Sequence, residues 1–367
     1  MVMSYIQFAR ELKDLGDPPA DEVVRELLDE GRVNSVNQLF RQISSANSDI
    51  PSQTPARLRD FLESTRAFPD WMEEARLRDT TAFFDRHRAA ASALQGTVGL
   101  VGTYLSPVSA YTLHATHQLS HQPHRRLSQS TRLFTGMSRA DAFSPRSPLV
   151  PICQKVRLVH AAIRELHRRS GRWDYERMGA PVSQLDTAGA ALALSVGVLD
   201  GMRNLGLRVG GNEADGFVYA WAVLAHFLGV PDKYIAEMGT RREATELWME
   251  AREYEWRRSD EGVLLTRECV ALYESYMPPE LKGAVSAFLR KAMRDEYADM
   301  VRVPQSAYDL GASVASLGVS AVLGTPAGGN AIVDAVLKVL GDAVEDVARK
   351  AAAHGEETEP RMSDRIG

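Results

Sequence analysis

The chain has very few cysteines: Cys153 and Cys269 are the only two among its 367 residues. Two cysteines are too few for a disulfide framework, and they exclude a cysteine-based zinc or iron–sulfur site as well. Scarce cysteine is also typical of proteins that work in a reducing compartment. We therefore expect a cytoplasmic protein.

The chain also lacks the marks of three other classes of protein. Its formal net charge is −5, so no basic field indicates a nucleic-acid partner. Residues 1–14 have no basic region followed by an apolar core, so we expect no secretory signal. Two long stretches, Ala89–His124 and Gly311–Val333, contain no Asp, Glu, Lys or Arg, but prolines interrupt both of them. We predict buried helices broken by turns there, and no integral membrane span.

Segments that alternate apolar and polar residues are almost absent, which argues against β-strands. Apolar residues instead recur at spacings of three and four, as in Asp21–Glu30 and Arg241–Arg258. We predict an all-α fold with a single large helical domain over residues 1–355, whose core spans about 55–300. The polar residues 356–367 are expected to form a disordered tail.

Local signals predict where some helices begin. Prolines at both ends of Pro145–Pro151 predict a loop between two helices. Asn212 can cap a helix over Asn212–Gly229, with Glu213 in its first turn and Gly229 at its end.

A long part of the chain, residues 86–140, contains no acidic residue but holds a regular set of histidines. His114, His117, His121 and His124 follow one another at spacings of three, four and three, which on a helix would form one stripe. Such a stripe could bind a metal ion. A polar helix face or a loop is the more common origin of this pattern, and Pro123 makes His124 a poor member of a helical cluster. The histidine metal site is therefore an alternative hypothesis.

The segment Lys155–Arg169 is the most informative of the predicted helices. Val156, Val159, Ile163 and Leu166 recur on one face, and His160 lies on the same face. Arg157 and Arg164 flank the histidine along the helix surface. Haem fits this pattern, because an imidazole can bind its iron and the arginines could pair with its propionates. A hydrogen-bonded core histidine is the competing interpretation.

Four segments together resemble a known family. They are RRLSQS at 125–130, VRLVHAAIR at 156–164, GAPVSQLD at 179–186 and the NEAD…W…HFLGVP run at 212–231. In order and spacing, they make the chain similar to the latex-clearing rubber oxygenases and the fungal mycophenolic-acid-pathway oxygenase, over most of residues 20–235. The resemblance implies an all-helical, globin-like core around haem b, with His160 as the proximal iron ligand.

The resemblance also implies roles for other residues. Arg164 could pair with a propionate, and Arg126 matches an arginine of the family's distal segment. The chain departs from the family at Gln129, where the rubber oxygenases carry a lysine that can ligate iron, and at Ser130, where they carry threonine. Their distal glutamate base has no counterpart in the acid-free residues 86–140. A histidine of the stripe could serve as a proton shuttle in its place.

These observations predict a haem-b-dependent oxygenase or oxidoreductase with iron held by His160 and with Arg126, Gln129 and Ser130 in the catalytic region. Its partners would be a small, largely apolar substrate and O2 or peroxide. The sequence leaves hydroxylation, C–C cleavage and peroxidase chemistry open, together with the oligomeric state. The alternatives are a non-catalytic haem-binding or haem-sensing protein and a metal-free helical scaffold that binds an apolar ligand.

Overall fold

The structure is a computed structural model, and it describes residues 3–115, 133–134, 136–306, 336–344, 346 and 362–364. The described residues form helices and turns with no strand among them, so the predicted all-α fold is confirmed. The helices with which the chain begins are α1 (Tyr5–Leu12), α2 (Pro18–Asp29), α3 (Val33–Leu39), α4 (Ala56–Ser64), α5 (Glu74–Leu94), α6 (Leu100–Tyr104) and α7 (Pro107–Ala115). A π-helical turn, Gln95–Gly99, joins α5 to α6.

The second half of the described chain is also helical. Its helices are α8 (Leu149–Ser170), α9 (Tyr175–Met178), α10 (Gln184–Asn204), α11 (Gly211–Phe227), α12 (Asp232–Ile235), α13 (Arg241–Glu255), α14 (Asp260–Glu274), α15 (Ala284–Met293) and α16 (Asp295–Met300). Two 3-10 turns, Phe40–Gln42 and Pro279–Leu281, lie between these helices.

The core is centred on α5, α10 and α11. Helices α5 and α11 pack closely, with the rings of Phe83 and Phe217 stacked at 4.2 Å between centroids. Gly216 allows this approach, because a Cβ there would lie 2.8 Å from the backbone nitrogen of Thr80. The Thr80 hydroxyl donates to the Gly216 carbonyl at 2.8 Å, which joins the two helices at the same point. Helix α10 lies beside α11, and its small residues let α6, α13 and α15 pack against it.

Helix α10 is the one described helix that is long and apolar enough to cross a membrane, judged by length and composition. In the fold it lies inside the bundle, with 61% of its most apolar window buried. A buried core helix passes such a test as readily as a membrane span does. The helix begins with a capping box, in which Ser183 and Asp186 satisfy each other's backbone N–H groups.

Two predicted helix starts were wrong. The segment expected to be a loop, Pro145–Pro151, ends inside α8, which begins at Leu149. Pro148 is the N-cap of α8, and Pro151 lies in its first turn. At both positions a missing N–H breaks no intrahelical hydrogen bond. Helix α11 begins at Gly211 and not at Asn212, because Gly210 is its N-cap and donates its N–H to Glu213 at 3.2 Å.

The predicted disordered tail has a local exception. Met362 is buried, its carbonyl accepts from the Asn37 amide at 3.0 Å, and its N–H donates to the same side chain at 3.1 Å. The neighbouring residues 347–361 and 365–367 lie outside the described part of the chain. The domain boundaries therefore stay a prediction.

Candidate functional site

A large cavity lies between α1, α6, α7, α8, α10, α11 and α13. Its volume is about 780 Å³, within the range of small-molecule and cofactor sites. Its described walls are mainly apolar, and the wall that α10 forms is made largely of small residues. Gly189 is one of them, and a Cβ placed there would meet nothing within 4 Å. The glycine therefore leaves space open on the cavity side of α10.

Helix α8 presents the predicted face to this cavity. The side chains of that face line the cavity and are half-buried: Val156, Val159, His160, Ile163 and Leu166. Most other side chains of α8 before Arg168 are fully buried, including Leu158, Ala161 and Ala162, which pack with α2, α3 and α4. The helix is therefore mostly covered on its other sides, and the face that carries His160 lines the cavity.

A second histidine on the same helix also lines the cavity. His167 lies two turns beyond His160, is 6% exposed, and packs against Trp173 with ring centroids 4.7 Å apart. Burial lowers the pKa of His167, which favours the neutral imidazole. The sequence analysis did not single out this residue, although its spacing of seven from His160 places it near the same face.

Arg157 belongs to α8, but its side chain pairs with the N-terminal segment. Its Nε and Nη2 donate to the two carboxylate oxygens of Asp17 at 2.6 and 2.8 Å, and both side chains are buried. The guanidinium also stands 5.1 Å from the centroid of the Phe61 ring. Gly229 fits against this pair, since a Cβ there would lie 2.9 Å from Asp17 Oδ2. Arg157 therefore has a bidentate protein partner.

Arg164 makes a similar link about two turns further along α8. Its Nε donates to Asp21 Oδ1 at 2.7 Å, and its Nη1 donates to the Val182 carbonyl at 2.7 Å. Burial raises the pKa of Asp21 in spite of the neighbouring guanidinium. Neither Arg157 nor Arg164 belongs to the described lining of the cavity. Their predicted pairing with propionates stays a prediction, and in the described structure they hold α8 to the start of α2.

The basic side chains that do line the cavity come from other helices. Arg10 of α1 and Lys13, which directly follows that helix, are exposed and take part in no ion pair within the described residues. Arg177 of α9 also lines the cavity and has Asp174 as a distant partner at 3.5 Å. These three residues, which we call the basic rim, give the cavity a positively charged edge.

Two acidic side chains line the described cavity, Asp186 of α10 and Glu255 of α13. Asp186 Oδ1 accepts from the Ser109 hydroxyl at 2.7 Å, and Oδ2 accepts from the Ser183 backbone N–H and hydroxyl, each at 2.9 Å. The Tyr5 side chain lies near Glu255 on the same wall of the cavity. Burial raises the pKa of both carboxyls, and the charge of Asp186 raises that of Glu255 further.

The remaining predicted residues of the site lie outside the described part of the chain. They are Arg126, Gln129 and Ser130, together with His117, His121 and His124. His114 is described and is half-buried near the end of α7. The roles predicted for all these residues stay predictions. Within the described residues, no three His, Cys, Asp or Glu side chains are grouped so that they could hold a metal ion. Both cysteines are buried and unpaired, in agreement with the predicted absence of disulfides.

Comparisons with known proteins agree with the fold. The structure titled "Latex Clearing Protein LCP in the closed state" superposes with a TM-score of 0.76 and covers 91% of each chain, at 24% identity. A rubber oxygenase of Streptomyces sp. (strain K30) is 28% identical over 288 residues, which are 78% of this chain and 70% of that protein.

The family described as "ER-bound oxygenase mpaB/B'/Rubber oxygenase, catalytic domain" matches residues 84–337, more than two thirds of the chain. The matched range includes α8 with its cavity face and both acidic side chains of the cavity. The membership predicted from the four sequence segments is confirmed: the chain belongs to this mpaB and rubber oxygenase family.

Proposed function

We propose that the chain is a haem-dependent oxygenase that acts on a small, largely apolar molecule. The observation that carries the proposal is the position of His160, in the middle of the one face of α8 that lines the cavity. Family membership supports the oxygenase activity. The apolar walls support an apolar substrate, because a hydrocarbon surface gains free energy when it leaves water for such a cavity.

The residues of the cavity fit a haem group. The imidazole of His160 would hold the haem iron, from the face of α8 that lines the cavity. The open space at Gly189 and the small residues of α10 suit a flat group. Arg10, Lys13 and Arg177 could face its acidic groups at the edge of the cavity. We therefore assign the propionate partners to the basic rim, since carboxylates already occupy Arg157 and Arg164.

Bound haem would supply the activation of dioxygen. The protein's part is to hold the iron through His160 and to keep the cavity dry with Val156, Val159, Ile163 and Leu166. Proton transfer needs a titratable group at the cavity wall, and Asp186 and Glu255 are such groups in the described residues. They bring acidic groups to the cavity, although residues 86–140 contain none.

The test is an absorption spectrum of the purified protein, expressed with haem precursor, in the oxidised and reduced states. We expect a Soret band in the wild type and in His167→Ala, and its loss or shift in His160→Ala. His167→Ala is the matched control, because it removes a second imidazole from the same helix and cavity. A wild type without a Soret band after haem addition, or a His160→Ala spectrum equal to the wild type, would refute the proposal.

Oxygen uptake distinguishes the enzyme from a non-catalytic haem protein. Short isoprenoid oligomers are suitable apolar test molecules, and uptake that depends on them should vanish in His160→Ala. Haem binding without uptake of oxygen, for any apolar test molecule or reductant, would favour the haem-binding or haem-sensing alternative.

A further inference from the structure

A second, smaller cavity lies between α10, α13 and the junction of α15 with α16. Its volume is about 170 Å³, which is room for several water molecules or for one small ion. Three arginines and one acidic residue are among the described residues that line it: Arg203 and Asp200 of α10, Arg252 of α13, and Arg294 at the junction. We call this cavity the arginine pocket. The haem proposal makes no use of it.

Arg252 is the most firmly held cation of the arginine pocket. Its guanidinium carbon lies 5.3 Å from the ring centroid of Trp248, 5.9 Å from that of Trp256 and 5.5 Å from that of Tyr297. Contacts with several aromatic rings fix the orientation of a guanidinium group. The Nε of Arg252 is buried and has no hydrogen-bond partner in the described part of the chain. A buried N–H of a charged group is costly without an acceptor, so this atom points to a missing one.

The acidic residue of the pocket does not supply that acceptor. Asp200 Oδ1 accepts from Arg203 Nη2 at 2.7 Å, and Oδ2 accepts from Trp248 Nε1 at 3.1 Å. The Oδ2 atom lies 3.7 Å from Arg252 Nη1, which is too far for a hydrogen bond. Asp200 is therefore shared by two arginines, and the lining of the pocket keeps an excess of positive charge.

The backbone of Arg294 is strained, which draws attention to its side chain. Arg294 is both the C-cap of α15 and the N-cap of α16, with φ at +76° and ψ at 148°. Glycine adopts this conformation far more readily than any residue with a Cβ. The turn itself would therefore favour glycine. The arginine is better explained by the charge that its side chain brings to the pocket, where its recorded partner is Glu296 at 3.4 Å.

We propose that the arginine pocket binds a phosphate group, either of free phosphate or of a small phosphate ester, and that this anion accepts a hydrogen bond from Arg252 Nε. Guanidinium groups form paired, charge-assisted hydrogen bonds with phosphate oxygens. Three guanidinium groups on different elements suit a tetrahedral anion, which offers more acceptor oxygens than the two of a planar carboxylate. The site goes beyond the proposed function and does not depend on haem.

The arginine pocket shares a wall with the large cavity. Gly102, Ala193, Trp248 and Trp256 line both of them. The two indole rings of this wall are also the rings that flank Arg252. An anion bound to Arg252 would therefore hold this wall in place, and phosphate binding should be visible in the fluorescence of these tryptophans.

The experiment titrates the full-length protein, as isolated and in phosphate-free buffer, with the sodium salts of phosphate, sulfate, acetate and chloride at equal ionic strength. Binding is followed by titration calorimetry and by tryptophan fluorescence. We expect saturable binding of phosphate and sulfate, about tenfold tighter than that of acetate, and no saturable binding of chloride. Glycerol 3-phosphate distinguishes the two sources of the group, since tighter binding than free phosphate would identify an ester as the ligand.

Three variants locate the binding site. Arg294→Gly should weaken phosphate binding about fivefold, and it should also raise the midpoint of thermal unfolding because the strained backbone is relieved. Arg203→Gln should weaken binding by a similar factor. Arg208→Gln is the matched control, because it removes the same charge from an exposed arginine shortly beyond α10 that does not line the pocket. Arg252 is left unchanged because it packs against three rings.

Several results would overturn the inference. An equal response to all four salts would be an effect of ionic strength, and no saturable binding of phosphate would mean that water alone fills the pocket. Tighter binding of acetate than of phosphate would contradict the assigned ligand. Phosphate affinity that is unchanged in both Arg294→Gly and Arg203→Gln would place the anion elsewhere. None of these readouts uses the Soret band, so failure here is distinguishable from failure of the haem proposal.

Discussion

The pair of Arg157 and Asp17 offers a sharp test of what the arginines beside His160 do. The sequence pattern suggested that Arg157 binds an acidic group of a cofactor, whereas the structure gives it a bidentate partner on the N-terminal segment. The Asp17 side chain is 4% exposed and that of Arg157 9% exposed. Removal of either partner therefore strands a buried charge, which costs about 3–5 kcal/mol of unfolding free energy.

The assay is a double-mutant cycle in urea, with unfolding followed by circular dichroism in the absence of added haem. Arg157→Ala and Asp17→Ala should each lower the free energy of unfolding by about 3–5 kcal/mol. The double variant should lose at least about 2 kcal/mol less than the sum of the single losses, since the second change removes a charge that the first has stranded. Arg172→Ala, an exposed arginine just beyond the end of α8, should change stability by less than about 0.5 kcal/mol.

A different result would refute the structural role. If the role of Arg157 is to bind an acidic group of a cofactor, Arg157→Ala should lower the free energy of unfolding by less than about 1 kcal/mol in the absence of haem. The variant should instead bind haem more weakly. Additive single losses in the cycle would mean that the two side chains do not stabilise each other. After either outcome, Arg157 would again be a candidate partner for a haem propionate.

Two further predictions concern the cavity wall and pH. Gly189→Phe should fill the open space beside α10 and abolish haem binding in a spectroscopic titration. Gly189→Ala should still bind haem, and its helix should be more stable by up to about 1 kcal/mol. Equal haem affinity of the two variants would contradict the assigned cavity. Hydrogen bonds from Arg168 and Arg169 lower the pKa of Glu165 to about 2, so this carboxylate stabilises the fold above its ordinary pKa of 4.5, and the effect is lost as pH falls toward 2. Glu165→Gln should therefore lose about 1–3 kcal/mol at pH 7 in urea unfolding and much less near pH 2, and a pH-independent loss would contradict the ion-pair explanation.

The local features of the site could be predicted from the sequence, because helical spacing fixes which side chains share a face. The face of α8 with Val156, His160 and Ile163 is where the spacing predicted it. Helical spacing does not predict which other parts of the protein surround that face. An apolar helical stripe meets either a packed core or an apolar cavity, and the two have the same sequence pattern. The half-buried state of these side chains, which marks a cavity, depends on α1 and α10 and is visible only in the fold.

The partners of charged residues were beyond sequence analysis for a related reason. Arg157 and Asp17 are 140 positions apart, and Tyr5 and Glu255 are separated by most of the chain. No local rule connects such residues, and only the packing of α2 on α8 and of α1 on α13 brings them together. The one local signal near Asp186 was the Ser183–Asp186 spacing of a capping box, which predicts a helix start and gives no information about a cavity.

The division of the site between two parts of the chain bears on its specificity. His160, Asp186 and Glu255 lie within residues 84–337, which match the family, whereas the cavity side chains of α1 precede that range. Helix α1 contributes Tyr5 to the cavity wall and Arg10 to the basic rim, and Lys13 directly after the helix belongs to the same rim. His160 and the two carboxyls of the cavity thus belong to the range that matches the family, whereas two of the three basic-rim residues, Arg10 and Lys13, precede it. Under the proposed function, changes in α1 should therefore alter substrate selection and leave the binding of haem unchanged.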